Sequence, residues 1–269
     1  SGEWFGCYCL TEPGAGSDAN SGKTKAVLSA DGSHYKITGQ KMWISNAGFA
    51  SLMIVFARIE DDKNITGFLV PYDPENGIKL GDEENKLGIH SSSTRQVFFT
   101  DTKVPTENIL GERNGGFKIA MNALNVGRVK LSVACIDAQR RLTSESVKYA
   151  NERIIFDRPI GKNQSIQHPL AELWIELEAA ELLISKAAYQ YDKGQNSGGL
   201  ANAAKYYAAE VAFKTATQAV VTLGVMGYAK EYHVERLLRE SLIPKLAPVS
   251  SQMILNYISE KILHLPRSY

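Results

Sequence analysis

The residues best suited to chemistry lie in two short segments near the start of the chain. The first, residues 8–18, is an apolar stretch that leads into a turn built from Pro13 and two glycines. A turn of this composition offers backbone amides and hydroxyls that can hydrogen-bond a polar ligand. The second, residues 41–46, places the broad ring of Trp43 beside the small hydroxyl of Ser45. The two segments together predict a site for a ligand that has a flat ring and polar groups.

The two motifs, in this order and at this spacing, resemble those of the acyl-CoA dehydrogenase family. Taken alone, the first motif could be an ordinary surface turn, but the agreement of two motifs makes the resemblance specific. In that family the first segment wraps the isoalloxazine and pyrophosphate of FAD, and the second lies against the flavin with its hydroxyl near N5. The resemblance therefore implies FAD as the cofactor, bound in this part of the chain by Tyr8, Leu10, Thr11, Gly16, Ser17, Trp43, Ile44 and Ser45.

The composition argues against several classes of partner. The chain has 269 residues, of which 30 are basic and 29 acidic, and no basic block. An even balance of this kind argues against nucleic acid and anionic membranes as partners. No apolar run approaches the ~20 residues that a membrane span needs, and no secretory segment is present. We therefore expect no membrane span and a location in the cytoplasm, or in the mitochondrial matrix of a eukaryote. The three cysteines, Cys7, Cys9 and Cys135, lack metal spacing, so we expect free thiols and no metal site.

The hydrophobic pattern changes near residue 112. Before that point, short β-rich runs recur between turns, at residues 4–10, 23–29, 35–45, 52–59, 65–71 and 94–104. Beyond it the period is helical, and we expect helices at residues 117–152, 164–192, 200–223, 231–243 and 250–263. The predicted fold class is α+β, with an antiparallel β-sandwich or barrel domain at residues 1–112 and an up-and-down helical bundle at residues 113–269. This is also the order of the middle and last domains of the family.

The family's first domain, which is helical, has no counterpart in this sequence. The chain starts at Ser1 without an initiator methionine, close to where the family's middle domain starts. We therefore expect a shortened polypeptide, with a naturally short two-domain protein as the alternative.

The resemblance continues into the helical half. Residues 151–156 and 163–167 match the segment that reaches the FAD of a neighbouring subunit. By that resemblance Arg153 would neutralise the pyrophosphate, Phe156 would pack on the adenine side and Gln164 would hydrogen-bond the cofactor. An arginine suits the role because its planar fork pairs with phosphate oxygens, although Arg153 could instead complement the C-terminus of a helix. The shared site implies a homo-oligomer, most plausibly a homotetramer.

Further positions carried over from the family are Gly224, Ser250 and Gln252 for the cofactor, and Ser17, Asn125 and Arg128 for the substrate. Three family positions differ here, at Val221, Val225 and His233, where the family has a glutamine, a glycine and a proline. Each change removes a contact with the cofactor or alters the loop that holds it.

The family's catalytic base is missing from both of its usual positions. Removal of the α-proton of a thioester, while hydride leaves the β-carbon for flavin N5, needs a carboxylate in a dry pocket. Most members carry a glutamate before the last helix, where ungapped alignment places Pro248 in this chain. A minority carry it just before an arginine on the long helix, where this chain has Gly127 before Arg128. The catalytic residue is therefore unknown.

Three functions stay open. The first is an oxidoreductase of fatty acid metabolism that dehydrogenates an acyl-CoA or acyl-carrier-protein thioester with FAD and passes electrons to an electron-transfer flavoprotein. The second is a flavin enzyme of the same fold with other chemistry, such as an oxygenase. The third is a non-catalytic subunit that binds acyl groups or forms assemblies. The resemblance favours the first, because the cofactor motifs are kept.

Overall fold

The protein, described by a computed structural model over residues 2–268, divides into two compact units, one ending at Ala123 and the other starting at Leu124. The first unit is mainly strand and the second mainly helix, which confirms the predicted fold class. One long helix passes through the point of division. The domain limits of residues 1–112 and 113–269 therefore stay a prediction.

The β-unit contains one eight-stranded sheet. Its strands are β1 (Gly6–Cys9), β2 (Lys25–Leu28), β3 (His34–Ser45), β4 (Leu52–Ile59), β5 (Thr66–Pro71), β6 (Ile78–Leu80), β7 (Thr94–Pro105) and β8 (Ile109–Leu110). They follow the order β6-β7-β3-β2-β4-β5-β8, and β1 also pairs with β4. Most neighbours are antiparallel, as expected, but β4 runs parallel to both β1 and β2. The sheet is therefore mixed.

The sheet curls over a single apolar core. Tyr35 on β3 and Phe68 on β5 meet edge to face with ring centroids 5.4 Å apart, although β2 and β4 separate their strands. Along much of β3 and β7, buried residues alternate with less buried ones, and Ile37, Met53 and Val97 are fully buried in this core. Alternation of this kind is what lets one face of a strand pack while the other meets solvent.

The helical unit consists of long helices joined by short connections. Its elements are α1 (Gly116–Glu152), a hairpin of β9 (Ile154–Ile155) and β10 (Arg158–Pro159), and then α2 (Gln164–Asp192), α3 (Gly198–Leu223), α4 (Val225–Tyr228), α5 (Val234–Glu240), α6 (Ile243–Leu246) and α7 (Ser251–Lys261). The long helix predicted at residues 231–243 is broken, because the backbone of His233 is left-handed with φ 57°.

Small residues allow α3 to pack at the centre of this unit. Its buried face includes Ala204, Ala208 and Ala212, which pack in one cluster with Leu177 and Ile184 of α2. Alanine has little bulk and the highest helix propensity, so a helix rich in it can be buried on several sides without losing stability.

Helix α1 bears on the expected absence of a membrane span. By length and composition alone it is long and apolar enough to cross a bilayer. The core helix of a soluble protein passes the same test, and Arg128 and Lys130 lie within its apolar stretch. Each charge would cost about 2.5–3.5 kcal/mol at the centre of a bilayer. The helix is weak support for a span, and the absence of one stays a prediction.

Two glycines of α1 should respond in opposite ways to the same substitution. A Cβ on Gly116 would lie 2.7 Å from the carbonyl oxygen of Ile65, whereas a Cβ on Gly127 would meet nothing within 4 Å. We expect Gly116→Ala to lower the free energy of unfolding by about 1–3 kcal/mol through overpacking. Gly127→Ala should raise it by about 0.5–1 kcal/mol, because glycine weakens a helix interior. Urea unfolding of both variants measures the difference, and equal shifts would contradict it.

Candidate functional site

A buried ion pair organises the loop that follows β1. Glu12 and Ala15 exchange two backbone hydrogen bonds of 3.1 Å around a two-residue turn. The Glu12 carboxylate points into the unit and accepts a hydrogen bond of 2.7 Å from Nζ of Lys41 on β3. Lys41 is 1% exposed and also donates to the carbonyls of Leu10, at 3.1 Å, and Phe56, at 2.7 Å. All three donor positions of the ammonium group are thus used.

The same carboxylate fixes the far end of the loop. Its two oxygens accept from the backbone amides of Lys23, at 2.5 Å, and Thr24, at 3.1 Å. A Cβ on Gly22 would lie 2.8 Å from Oε1 of Glu12, so only glycine leaves room for the carboxylate. The loop therefore leaves and returns to the sheet at points that one side chain defines.

Burial and ion pairing shift the pKa values of Glu12 and Lys41 in opposite directions. Burial alone would raise the pKa of Glu12, but the nearby Lys41 charge and the hydrogen bonds lower that pKa overall. The pKa of Lys41 is lowered, because burial opposes its charge more than Glu12 supports it. The lysine therefore depends on the carboxylate to stay charged in the core.

Trp43 lies on a β-bulge that the ion pair supports. The register between β3 and β7 shifts between Lys41 and Ile44, and the backbone of Trp43 is left-handed with φ 59°. Its ring is 53% exposed, whereas Ile44 turns into the core. A left-handed backbone is strained for a bulky residue, and such strain concentrates at functional sites. The bulge presents an aromatic surface to the outside of the β-unit.

The other predicted cofactor residues of this unit lie around the bulge or on the loop. The carbonyl of Thr11 accepts a hydrogen bond of 2.9 Å from the amide of Met42, which links the loop to the bulge. Gly16, Ser17 and Ser45 are exposed, and a Cβ on Gly16 would meet nothing within 4 Å. The set combines open backbone, hydroxyls and one exposed ring, and a flat polar ligand fits this chemistry.

Tyr8 and Leu10 lie deeper in the unit. The side chain of Leu10 is buried, so the parts of it that can reach a ligand are backbone atoms. Tyr8 contacts Phe56 edge to face and donates a hydrogen bond of 3.2 Å to the carbonyl of Ala120. Burial raises the pKa of its phenol, so it stays neutral.

In the helical unit, Arg153 and Gly224 line one open pocket of about 430 Å³. Tyr149, Val221 and Met226 complete much of its wall. Gly224 has φ 62° and ψ −138°, a backbone conformation that favours glycine. Arg153 follows the last residue of α1, and its exposed side chain makes no hydrogen bond or ion pair to a residue in the described part of the chain. A guanidinium above an apolar wall suits an anion that carries an apolar ring.

Phe156 and Gln164 lie outside this pocket. Phe156 is at the tip of the β9–β10 hairpin, where it is 93% exposed and has a left-handed backbone with φ 51°. Gln164 is exposed at the first turn of α2. An apolar ring this exposed is costly in water.

The loop that holds Pro248 is fixed by its backbone. Nζ of Lys205 on α3 donates a hydrogen bond of 2.6 Å to the carbonyl of Val249, whose backbone is left-handed with φ 72°. Burial, and secondarily the charge of Arg128, lowers the pKa of Lys205 to about 8. Sequence reasoning missed this lysine. Its position among buried alanines of α3 was the available signal, because a charge on an apolar face needs a partner.

Two more predicted cofactor residues flank that loop. Ser250 caps α7 by accepting a hydrogen bond of 3.4 Å from the amide of Met253. Gln252 is exposed and is the second residue of the helix. Neither Pro248 nor Gly127 has a side chain that can accept a proton.

Arg128 and Asn125, predicted to contact substrate, are neighbours on α1. Nη1 of Arg128 donates to Oδ1 of Asn125, and Arg128 is 5% exposed. Ser17, the third predicted substrate contact, belongs to the β-unit. Over residues 2–268, no cluster of three or more histidine, cysteine or acidic side chains could hold a metal ion.

Both halves of the chain match models of one family. Residues 7–102 match "Acyl-CoA dehydrogenase, middle domain", and residues 114–263 match "Acyl-CoA dehydrogenase, C-terminal domain".

Relatives and solved structures agree with this match. The rat mitochondrial short/branched chain specific acyl-CoA dehydrogenase is 39% identical over 97% of this chain and 60% of its own length. The structure of butyryl-CoA dehydrogenase from Megasphaera elsdenii superposes with a TM-score of 0.93 at 36% identity, over 97% of this chain and 68% of that chain. An acyl-CoA dehydrogenase complexed with FAD from Bacillus anthracis gives a TM-score of 0.90 at 34% identity, over 96% of this chain and 47% of that chain. This chain thus spans about three fifths of the rat protein.

Loss of the Glu12 charge should destabilise the β-unit strongly. We expect Glu12→Gln to lower the free energy of unfolding by about 3–5 kcal/mol, because it leaves Lys41 buried without a counter-charge. The pKa of Glu12 is lowered in the folded state, so its contribution is present above about pH 4.3 and is lost as the pH falls through the folded value.

The matched control is Asp62→Asn, which breaks the more exposed pair with Arg113. That pair should contribute only about 0–1 kcal/mol. Equal losses for Glu12→Gln and Asp62→Asn in urea unfolding at pH 7 would contradict the central role of the buried pair.

Proposed function

This chain belongs to the acyl-CoA dehydrogenase family, and we propose from that membership that it carries out FAD-dependent α,β-dehydrogenation of an acyl thioester. The observation that supports this most directly is the strained bulge at Trp43, linked by a hydrogen bond to Thr11. A protein that did not use the exposed ring would gain stability by relaxing this backbone, since such strain costs about 1–3 kcal/mol.

The β-unit offers a fitting cradle for the cofactor. Trp43 supplies a flat surface, Thr11, Ser17 and Ser45 supply hydroxyls, and Gly16 leaves its backbone open to a ligand. Tyr8, Leu10 and Ile44 complete the proposed set. When bound, FAD accepts the hydride that leaves the β-carbon of the acyl group. Substrate contacts are proposed for Ser17, Asn125 and Arg128.

Arg153, Phe156 and Gln164 are proposed to contact the cofactor of a neighbouring subunit. Gly224, Ser250 and Gln252 are further proposed cofactor contacts. In this reading the exposed ring of Phe156 is covered by the neighbour in the assembled protein. A homotetramer is also supported by an apolar row on the outer face of α2, formed by the exposed residues Trp174, Ile175, Leu182 and Tyr189.

The substrate is proposed to be an acyl-CoA or acyl-carrier-protein thioester, with an electron-transfer flavoprotein as electron acceptor. A location in the cytoplasm or the mitochondrial matrix is proposed, supported by the mitochondrial rat relative. The domain limits at residues 1–112 and 113–269 are proposed to correspond to the family's middle and last domains.

A non-catalytic acyl-binding subunit is the second candidate, because neither Pro248 nor Gly127 supplies a carboxylate. Anaerobic mixing of the flavin-loaded protein with saturated acyl thioesters distinguishes the two. Loss of the flavin's visible absorbance supports dehydrogenation. Binding of thioester without that loss supports the non-catalytic subunit. An oxygenase would also keep its absorbance in this anaerobic mixture, and it would consume dioxygen in air once its flavin has been reduced chemically.

Removal of the Trp43 ring should weaken the retention of FAD. We expect Trp43→Ala to raise the dissociation constant for FAD about 2- to 10-fold, since an aromatic contact contributes about 0.5–1.5 kcal/mol beyond its buried area. Trp43→Phe keeps a flat ring and should change it less. Fluorescence titration of the apoprotein with FAD measures both. Unchanged affinity in Trp43→Ala would remove the cradle assignment.

A carboxylate placed at Gly127 should speed the removal of the α-proton. A side chain there meets nothing within 4 Å of its Cβ, and a positioned general base contributes ~10²–10⁴-fold in rate. We expect Gly127→Glu to reduce its flavin with an acyl-CoA faster than the parent does, in stopped-flow absorbance. Gly127→Gln has the same size without the base and should show no gain. An equal rate in parent and Gly127→Glu, at ordinary dehydrogenase speed, would show that another base exists.

A further inference from the structure

One row of side chains on the outer face of the sheet brings two like charges together. Val27 on β2 lies opposite Lys36 on β3, and Lys36 lies opposite Lys103 on β7. All three are exposed, and each follows a buried residue of its own strand, so their side chains point away from the core. Directly opposite residues of antiparallel strands have Cβ atoms about 4.5–5.5 Å apart, and like charges at that distance destabilise a sheet.

No ion pair in the described part of the chain compensates this row. Lys25, two residues before Val27 on the same face of β2, adds a third positive charge. None of the three lysines is paired with an acidic side chain within residues 2–268. Asp101, two residues before Lys103, accepts a hydrogen bond of 3.1 Å from the hydroxyl of Thr38 instead. The positive charges therefore lie beside an apolar side chain, that of Val27, which is 49% exposed.

The edge of β7 is closed to an additional strand at this point. A strand added there would need the backbone amide and carbonyl of Lys103. Both are already used, because Oδ1 of Asn76 accepts from that amide and Nδ2 of Asn76 donates to that carbonyl, each at 2.9 Å. Lys36 and Lys103 are thus a pair without backbone hydrogen bonds to each other, the kind whose side chains lie closer. A partner must bind through side chains on the face of the sheet.

A helix that crosses the strands matches the spacing of the row. Neighbouring strands are about 4.7–4.9 Å apart, and residues three or four apart on a helix are separated by about 4.5–6 Å along its axis. A helix lying across β2, β3 and β7 would place its residues i, i+4 and i+7 over Val27, Lys36 and Lys103 in turn. Complementarity then requires an apolar residue at i and acids at i+4 and i+7.

We propose that the outer face of the sheet at Val27, Lys36 and Lys103 docks another protein through an acidic helix of this pattern. The carboxylates of the partner relieve the repulsion between the two lysines, which lowers the stability of the free protein. The even charge balance of the whole chain argues against nucleic acid as the occupant. The inference does not depend on the proposed function, because none of these three residues belongs to the proposed cofactor or substrate contacts.

The test uses two fluorescein-labelled helical peptides of equal composition and net charge. One carries leucine at i and glutamate at i+4 and i+7, whereas the other has these residues on different faces. In fluorescence anisotropy with the full chain at low salt, the parent should bind the first peptide about 5- to 10-fold more tightly. Lys36→Glu combined with Lys103→Glu should abolish this preference. Lys63→Glu combined with Lys79→Glu changes the net charge equally at exposed positions of the same unit and should keep it.

The stability of one variant gives an independent readout. Lys103→Glu places opposite charges across β3 and β7, so we expect its folding equilibrium constant to rise about 2- to 5-fold in dilute buffer and the gain to vanish in about 1 M salt. No gain in dilute buffer, or equal affinity of the parent for the two peptides, would overturn the proposal.

Two other occupants have their own signatures, and either result would also overturn the proposal. Binding of the parent to phosphatidylserine vesicles that the Lys36→Glu, Lys103→Glu variant loses, without a preference between the peptides, would assign the face to a lipid surface. A change of oligomeric state in light scattering, seen in that variant and not in the Lys63→Glu, Lys79→Glu control, would assign it to a second copy of the chain.

Discussion

The buried ion pair between Glu12 and Lys41 holds together the parts of the β-unit that form its candidate site. Glu12 comes from the loop after β1 and Lys41 from β3, and Lys41 also reaches the carbonyl of Phe56 on β4. One interaction therefore joins segments from three places in the sequence. Because the carboxylate also receives two backbone amides of the returning loop, the loop has a fixed path. A rigid frame of this kind can carry exposed and strained groups at its surface without collapsing around them.

Strained backbone conformations of apolar residues lie mostly at the candidate sites. Within residues 2–268, eleven non-glycine residues have a left-handed backbone, and four of them, Trp43, Ile89, Phe156 and Val249, are apolar. Three of these four lie at positions that matter to the proposed function, namely the flavin face, the hairpin tip and the loop next to Pro248. Left-handed geometry is uncommon for bulky side chains, and it persists only where the surroundings enforce it. For Trp43 the enforcing contacts are the bulge against β7 and the hydrogen bond from Met42 to Thr11.

Local periodicity was enough to predict the three long helices α1, α2 and α3 and the longer strands. The bounds of α2 came directly from the sequence, because its apolar residues repeat with helical spacing over many turns. Strands β6 and β8 were missed, since three and two residues are too few to show alternation. The parallel pairing of β4 depends on partners distant in sequence, which no local pattern encodes. The break at His233 arises from a single backbone angle.

The motifs of the candidate site could be predicted from the sequence, but the ion pair that holds them in place could not. The exposed ring of Trp43 and the turn around Gly16 follow from residue types, whereas the pair of Glu12 and Lys41 joins residues 29 positions apart. One signal for it was present. Lys41 falls in phase with Tyr35 and Ile37, the inward positions of β3. A lysine on the inward face of a strand needs a buried acid, and Glu12 in the neighbouring motif was the natural candidate.

The hydrogen bond from Lys205 to the loop before α7 has an evolutionary consequence. The lysine holds the main-chain carbonyl of Val249, and every amino acid at that position would present the same carbonyl. The backbone of the loop can therefore keep its position while its side chains are substituted during evolution. An acidic residue at position 248 could be replaced by proline, or proline by an acid, without repacking the bundle. Selection could then act on the chemistry at position 248 separately from the stability of the fold.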